Sequence, residues 1–374
     1  MSHVVIAPDK FKGTLTAAQV AAHVATGLGR ARPRAEVVQV PVADGGDGTV
    51  EAAVAAGYRS IEMGVRGPTG KPVTASFALR DGTAIVESAQ ACGLGRLPGG
   101  QLAPLIATSR GVGELILTAI RFRAKRVVLG LGGVATMDGG AGMLQAFGAR
   151  MRDAAGADLP PGGAALALLD LLDLRRLPDF GGIEFVMATD VNNPLLGPRG
   201  AAAVYGPQKG ATTPEDIMAI ENGLTVWADV VERSLGVAHR DEPGAGAAGG
   251  LGFAALAFLH PIVQPGIELL LDLLSFPARL HGAGLVITGE GSLDTQTLHG
   301  KAPVGVARAA AALVPDIPVI AVAGVSTLTE DQLHEAGIAR AYALTDLEPD
   351  PARCRANPGP ILEALAERIA ADWL

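Results

Sequence analysis

The hydrophobic pattern of the first sixty residues alternates between short apolar runs and helical stripes. Residues 4–7 form a short apolar run, and Val20, Val24 and Leu28 then recur at the spacing of one helical face. A second apolar run covers 37–42, and a second helical stretch begins near residue 50. Strand, helix, strand and helix in this order predict a parallel α/β sheet.

The pattern changes between residues 60 and 86. Three short apolar runs are separated there by the turn sequences at 67–70 and 81–82, which predict antiparallel hairpins. Beyond the hairpins we expect strands over 126–131 and 184–188. The predicted helices cover 111–121, a stretch from about 140, 214–236 and 249–275.

The alternating rhythm returns at the end of the chain. Strands are predicted at 285–288, 318–323 and 341–344, with helices at 301–314, 329–337 and 360–374. The simplest fold has two α/β domains: a Rossmann-like parallel sheet from residues 1–60 and 285–374, and an inserted mixed α/β domain over 61–284. A continuous two-domain split is the alternative. We expect the active site in the cleft, because loops after parallel strands supply binding groups there.

Composition excludes several classes of function. The formal net charge is −8 and no run is rich in Lys or Arg, so the chain lacks the electrostatic footprint of a nucleic-acid binder. The two cysteines, Cys92 and Cys354, are not spaced for a structural zinc site. No stretch approaches the roughly 20 apolar residues of a membrane span, and the N-terminus resembles a strand rather than a signal peptide. We therefore expect a cytoplasmic monomer or homodimer that contacts no membrane.

Charged residues directly follow the first two apolar runs. Lys10 and Lys12 precede a predicted helix N-terminus, which favours an anion. Asp44 and Asp47 are separated by two glycines and could converge on a cation, although Asp47 also suits a helix cap.

Two further candidates begin the helix predicted at 111–121. Arg110 suits a carboxylate or phosphate through its planar guanidinium. Ser109 can bind the same anion or simply cap the helix.

The glycine-rich run 130–140 follows an apolar strand. We interpret Gly132, Gly133 and Gly139, together with Asp138, as part of a flexible backbone cradle for phosphates. The run also matches a relaxed dinucleotide fingerprint, so an NAD(P) oxidoreductase is a rival hypothesis.

Polar groups follow two later strands as well. Asp190 and Asn192 could orient a substrate hydroxyl or bind Mg²⁺, with a plain Asx-turn as the alternative. After 285–288 come Glu290, Ser292 and Asp294, whose oxygens suit a metal or a hydroxyl-bearing ligand.

Together these segments resemble the bacterial glycerate kinase family over essentially the whole chain. The resemblance is carried, in order, by residues 6–13, 43–49, 132–133 with 138–140, 188–191, 206–210 and 288–294. It implies a two-domain α/β enzyme that phosphorylates D-glycerate with Mg-ATP, and 2-phosphoglycerate is the expected product. Lys10 stands where the family more often has Ser, so Lys12 is the safer choice for the acting lysine.

The resemblance and the residues together give each candidate a role. We expect Asp190 to orient or deprotonate the hydroxyl, Lys12 to neutralise the transferring phosphoryl group and Arg110 to hold the glycerate carboxylate. Glu290 and Asp294 would hold Mg²⁺.

Supporting roles fall to the remaining candidates. Asp44 would lie near the same cation, and Lys301, which enters a helix after His299-Gly300, could reach a phosphate. Transfer to the 3-hydroxyl and a non-catalytic protein that binds a small acid are the further alternatives.

Overall fold

The computed structural model describes residues 2–374, and thirteen strands within them form three sheets. The strands are β1 (His3–Pro8), β2 (Val37–Gln39), β3 (Arg59–Arg66), β4 (Pro72–Arg80), β5 (Thr83–Glu87), β6 (Arg126–Gly130), β7 (Arg150–Arg152), β8 (Leu171–Asp173), β9 (Glu184–Ala188), β10 (Ile262–Gln264), β11 (Ala283–Leu293), β12 (Val319–Ser326) and β13 (Arg340–Ala343).

The described residues also contain fourteen α-helices. They are α1 (Ala17–Ala31), α2 (Thr49–Ala55), α3 (Ser88–Cys92), α4 (Arg110–Arg121), α5 (Ala141–Phe147), α6 (Ala201–Tyr205), α7 (Pro214–Leu235), α8 (Ala247–Leu259), α9 (Gly266–Leu273), α10 (Phe276–Leu280), α11 (Ala302–Leu313), α12 (Glu330–Glu335), α13 (Pro351–Ala356) and α14 (Pro358–Trp373). Across the described chain, no helix has both the length and the apolar character needed to cross a bilayer.

The chain folds into two units. The terminal unit contains the chain up to Asp44, Glu51–Gly57 and Pro265–Leu374, and the inserted unit contains Gly45–Val50 and Tyr58–Gln264. The chain re-enters the terminal unit at Pro265, whereas the sequence predicted that the inserted domain would continue to residue 284. The boundary lies earlier because Ile267 of α9 joins the hydrophobic core of the terminal sheet.

The terminal unit is built on five parallel strands in the order β13-β12-β11-β1-β2. Alternate residues of β1 enter different cores. Val5 packs in the core that contains α9 and α11 residues, whereas Val4 and Ile6 pack with α1 and α14. Both faces of the sheet are therefore covered by helices, as in doubly wound folds, and the predicted Rossmann-like sheet is confirmed.

Helix α1 illustrates how local sequence defines an element. Thr16 and Gln19 form a capping box: Gln19 N donates to Thr16 Oγ1 at 3.3 Å, and Thr16 N donates to Gln19 Oε1 at 2.9 Å. Gly27 allows close packing on α14, since a Cβ there would lie 2.7 Å from the Cβ of Ala366. The two ends of the chain thus pair as neighbouring helices.

The inserted unit contains a mixed sheet in the order β10-β9-β6-β5-β4-β3. Strands β3, β4 and β5 are antiparallel, as the turn signals predicted, and β5, β6, β9 and β10 are parallel. A large core, which includes Phe77, Trp227 and Phe253, fills this unit.

One helix prediction was wrong. The range 249–275 holds most of α8, strand β10 and helix α9 instead of a single helix. Helix α8 stops because His260 adopts a left-handed backbone with a φ of 45° and Pro261 follows it.

Candidate functional site

Strands β1 and β11 form the topological switch point of the terminal sheet. The strand order places β2 on one side of β1 and β11 on the other, so the loops that follow diverge and leave a crevice. Pro8 pairs with Gly289, and Asp9 N donates to the Gly289 carbonyl oxygen at 2.8 Å. Asp9 and Glu290 are therefore the first side chains beyond this pair.

Four carboxylates lie near one another at this edge, those of Asp9, Asp44, Glu290 and Asp294. Asp9 is 8% exposed, and its pKa is raised to about 8 by burial first and then by the negative charge of Asp44, with Glu290 adding to it. The Lys10 amide donates to Asp9 Oδ1 at 2.6 Å and opposes the shift. Burial also raises the pKa of Glu290, and Asp294 and Asp44 contribute in the same direction. Such a group favours a cation, which relieves the mutual repulsion.

Glu290 is fixed by neighbouring side chains. Thr297 Oγ1 donates to Glu290 Oε1, and the Asp294 amide donates to Thr297 Oγ1 at 3.1 Å. Lys301 Nζ lies 3.6 Å from Glu290 Oε2, so the lysine predicted to reach a phosphate is paired with a carboxylate. Sequence reasoning overlooked Thr297, because a threonine outside the strand gives no signal by itself.

Strand β11 is longer than predicted. Glu290 and Ser292 were expected in a loop, but pairing with β12 continues through Glu290–Ala323 and Ser292–Val325. Gly291, between them, faces the loop after β1: an added Cβ would lie 3.2 Å from Lys12 N. The backbone bearing exposed Lys12 thus lies against the backbone of the carboxylate strand.

The donors fit a hard cation. Carboxylate oxygens are the ligands of Mg²⁺, which typically uses one or two of them together with substrate phosphates. In residues 2–374, no group of three or more His, Cys, Asp and Glu side chains is arranged to hold a metal. Burial first, and then the charges of Asp294 and Asp44, raise the pKa of Glu290, so carboxylate oxygens of the kind that Mg²⁺ prefers lie near one another at this edge.

The start of the glycine-rich run packs closely against residues 46 and 47 of the same unit. A Cβ on Gly132 would collide with the Cα of Gly46, and one on Gly133 would lie 2.7 Å from Asp47 Oδ1. Gly132 is half-buried and Gly133 is exposed. Close packing against Gly46 therefore explains why residue 132 is a glycine. Gly133, by contrast, lies at the surface next to the Asp47 carboxylate.

The backbone amide and carbonyl of Gly139 both form hydrogen bonds within the inserted unit. Its amide donates to Gly249 O at 3.0 Å, and its carbonyl accepts from Trp227 Nε1 at 2.9 Å. The sequence predicted that this amide would reach a nucleotide phosphate, but we do not carry Gly139 into the proposed site because its amide already has a partner.

Asp138 and Ser109 join two helix N-termini. Asp138 is 1% exposed and accepts from Ser109 N at 2.7 Å, Ser109 Oγ at 3.0 Å, Gly142 N at 3.2 Å and Gly140 N at 3.3 Å. Ser109 Oγ accepts in turn from Met143 N at 3.0 Å. Burial raises the pKa of Asp138, and these donors lower it. Both residues, predicted to bind a ligand, make their observed contacts within the protein.

Arg110 begins α4 and lines a surface cavity of about 390 Å³. Its Nε lies 3.4 Å from Glu114 Oε1. Among the described residues, none of the other predicted site residues lines this cavity.

Asp190 and Asn192 lie on an exposed loop after β9. Asn192 lines a cavity of about 330 Å³ with Arg199 and Asp241. The loop is shaped by Asn193, whose Nδ2 donates to Arg199 O at 2.7 Å and whose Oδ1 accepts from the Tyr205 hydroxyl at 2.6 Å.

Sequence reasoning assigned no role to Lys209. This lysine is 4% exposed, and its Nζ donates to Thr136 O at 2.9 Å within the glycine-rich run. Burial lowers its pKa to about 8. The signal was present, because Lys209 lies in a glycine- and proline-containing segment that contributed to the resemblance, but nothing in the sequence showed that it is buried.

Comparison with known proteins places both units in one family. The family model described as "Glycerate kinase family" matches residues 4–374. The chain belongs to the glycerate kinase family. A "Glycerate kinase" of Bacillus subtilis (strain 168) and a "Glycerate 2-kinase" of Escherichia coli (strain K12) are each 44% identical to it, covering 91% of this chain and 90% of the relative.

A solved structure supports the same placement in the glycerate kinase family. A Salmonella typhimurium LT2 protein, provisionally described as glycerate kinase 2, matches with a TM-score of 0.83 and 40% identity. The match covers 99% of this chain and 98% of that one. The family recognised from the sequence is thus confirmed, and the match to the family includes every segment that carried the resemblance.

Proposed function

We propose that this chain transfers the γ-phosphoryl group of ATP to D-glycerate and forms 2-phosphoglycerate. The observation that carries the proposal is the coupled carboxylate group of Asp9, Asp44 and Glu290 at the switch point of a glycerate kinase family sheet. The printed name of the E. coli relative, "Glycerate 2-kinase", supports the choice of the 2-hydroxyl.

The terminal unit supplies the groups for the nucleotide phosphates. Glu290 and Asp294 would hold Mg²⁺, with Asp44 beside them, and the ion would neutralise phosphate charge during transfer. Lys12, exposed on the loop after β1, would neutralise the transferring phosphoryl group. Lys10 helps to balance the charge of Asp9.

The inserted unit supplies the groups for the acceptor. Asp190 would orient the glycerate hydroxyl and accept its proton, and Asn192 would hydrogen-bond the second hydroxyl. Phosphoryl transfer depends mainly on positioning and charge neutralisation, so a correctly aimed carboxylate is sufficient for this step.

We assign the glycerate carboxylate to Arg199 in place of Arg110. Arg199 lines the same cavity as Asn192, whereas the cavity of Arg110 includes Arg66 at the end of β3. The two cavities share no lining residue.

A product assay tests the proposal. The purified protein is incubated with D-glycerate and Mg-ATP, and phosphorus NMR identifies the product; L-glycerate is the control substrate. We expect 2-phosphoglycerate and stoichiometric ADP. A 3-phosphoglycerate signal would overturn the regiochemistry, and glycerate binding without ADP would overturn the kinase. NAD(P) reduction without ATP consumption would favour the oxidoreductase.

We also propose that the enzyme acts in the cytoplasm as a monomer or homodimer. Cell fractionation and light scattering of the purified protein measure these two properties. Recovery in the membrane fraction, or a larger assembly, would contradict the proposal.

A further inference from the structure

Three arginines from three different elements line one cavity of the inserted unit. Arg66 ends β3, Arg110 begins α4 and Arg150 begins β7, and the cavity they line has a volume of about 390 Å³. Thr108 and Gln145 add polar side chains, and Asp158 is the acidic residue among those lining it. The local excess of positive charge contrasts with the net charge of −8 of the chain.

Nearby acidic residues balance this charge only in part, with Glu114 beside Arg110 and Asp173 opposite Arg150 in the pair of β7 and β8. Glu114 contacts Arg110 Nε at 3.4 Å, and its second oxygen accepts the backbone amide of Arg66 at 2.7 Å. The Arg66 guanidinium contacts the neutral Gly70 carbonyl at 3.4 Å.

The other acidic residue of the cavity is also engaged. Asp158 pairs with Arg152 Nε at 3.5 Å, so its charge is shared with an arginine that does not line the cavity. Three guanidinium groups around one space repel one another, and an anion between them would relieve that repulsion.

We propose that this cavity binds a small anion that carries both a phosphoryl group and a carboxylate. Two arginines can chelate phosphoryl oxygens through paired N–H groups, assisted by the N-terminus of the twelve-residue helix α4. The third arginine then pairs with the carboxylate. The volume lies in the range of small-ligand pockets.

This site is independent of the assignment of the acceptor. The residues that line it fall between Arg66 and Pro161, and none of them lines the cavity of Asn192 and Arg199 that follows β9. All its contacts lie within the inserted unit, so the inference does not depend on which reaction the chain performs.

Calorimetric titration at low ionic strength tests the proposal with three probes. Phosphonoacetate carries both groups, inorganic phosphate carries one and acetate carries the other. We expect phosphonoacetate to bind more tightly than phosphate, and acetate least. Arg66→Ala and Arg150→Ala should each weaken phosphonoacetate binding about tenfold or more, because one charged hydrogen-bonding partner is lost.

Arg121→Ala is the matched control, since Arg121 is an exposed arginine at the other end of the same helix. Its affinity for phosphonoacetate should equal that of the wild type. Equal affinities in all four proteins would overturn the site, as would wild-type binding no tighter to phosphonoacetate than to acetate.

A competition experiment separates this site from the acceptor site. Saturating D-glycerate, with or without a non-hydrolysable ATP analogue, should leave phosphonoacetate binding to the arginine cavity unchanged. Displacement that disappears in Arg150→Ala would show that the cavity is the substrate site, and the proposal of a separate site would fail. Kinase activity is measured separately, so loss of activity does not affect this result.

Discussion

Two buried aspartates show how surroundings decide the role of a residue. Asp138 receives four hydrogen bonds from Ser109 and the start of α5, so its charge is satisfied by the protein. Asp9 receives one amide hydrogen bond and is opposed by the charges of Asp44 and Glu290. The first arrangement stabilises a fold, and the second favours a bound cation.

Replacement of Asp138 tests the structural role. Asp138→Asn keeps the shape but places an amide opposite backbone donors, so we expect the free energy of unfolding to fall by about 2–4 kcal/mol. Chemical denaturation measures the change. Asp81→Asn, in an exposed hairpin turn with a φ of 49°, is the control and should stay within about 0.5 kcal/mol of the wild type. Equal stability of the two variants would contradict the assignment.

Replacement of Asp190 tests its proposed role in orienting and deprotonating the glycerate hydroxyl. If it orients and deprotonates the hydroxyl, Asp190→Asn should lower kcat about 10²- to 10⁴-fold with little change in KM for ATP. Steady-state kinetics provide the measurement. Asp170→Asn, an exposed aspartate of the same unit, should keep the wild-type kcat. A nearly unchanged kcat in Asp190→Asn would remove this residue from the mechanism.

Lys209 predicts a pH-dependent contribution to stability. Its pKa is lowered to about 8 in the fold from its ordinary 10.5, so between these pH values the unfolded chain binds more protons than the folded one. Stability relative to Lys209→Met should therefore rise as pH increases from 8 to 10.5, by an amount on the order of a few kcal/mol. Denaturation at several pH values measures it, with exposed Lys125→Met as the control. A stability difference between the wild type and Lys209→Met that does not change with pH would contradict the lowered pKa of Lys209.

At the scale of elements, the glycine-rich run shows what sequence could and could not predict. A loop rich in glycine after β6 was expected, and it is present. Its sequence did not distinguish an amide aimed at a ligand from one bonded to Gly249, because the partner lies about a hundred residues away. The strands and hairpins were predictable because their signals are local, whereas the loop contacts depend on tertiary packing.

Helix α1 offers a matched pair of glycines on one element. A Cβ on Gly27 would lie 2.7 Å from Ala366 Cβ of α14, while one on Gly29 meets no atom within 4 Å. Gly27→Ala should destabilise the protein by about 1–3 kcal/mol through overpacking. Gly29→Ala should stabilise it by about 0.5–1 kcal/mol, because glycine is a poor helix former. Thermal unfolding compares them, and shifts of the same sign would contradict the packing of α1 on α14.

At the scale of the whole molecule, the fold class was predictable and the segment boundaries were less so. Alternating strands and helices at both ends predicted the parallel sheet, which is confirmed. The sequence could not show that α9 and α10 pack with that sheet, since an amphipathic helix does not reveal which core it joins.

Deletion of α14 tests how the chain ends cooperate. Leu362, Leu365 and Ile369 are fully buried in the core that also contains Val4 and Ile6 of β1. A chain that ends at residue 357 should fail to form the terminal unit and accumulate in the insoluble fraction, because it exposes this core. Removal of exposed Leu374 alone is the control and should leave solubility unchanged. A soluble, folded deletion variant would contradict the interpretation.

The pairing of β1 with β11 also determines the order of events on the ribosome. Strand β1 is synthesised first, but its neighbour β11 ends at Leu293, so β1 must wait while the whole inserted unit emerges. At usual elongation rates the wait is roughly 10 to 50 s. During that interval the edge of β1 that pairs with β11 and the face of α1 that packs on α14 lack their partners. The nascent chain is therefore a natural client for chaperones that shield early segments.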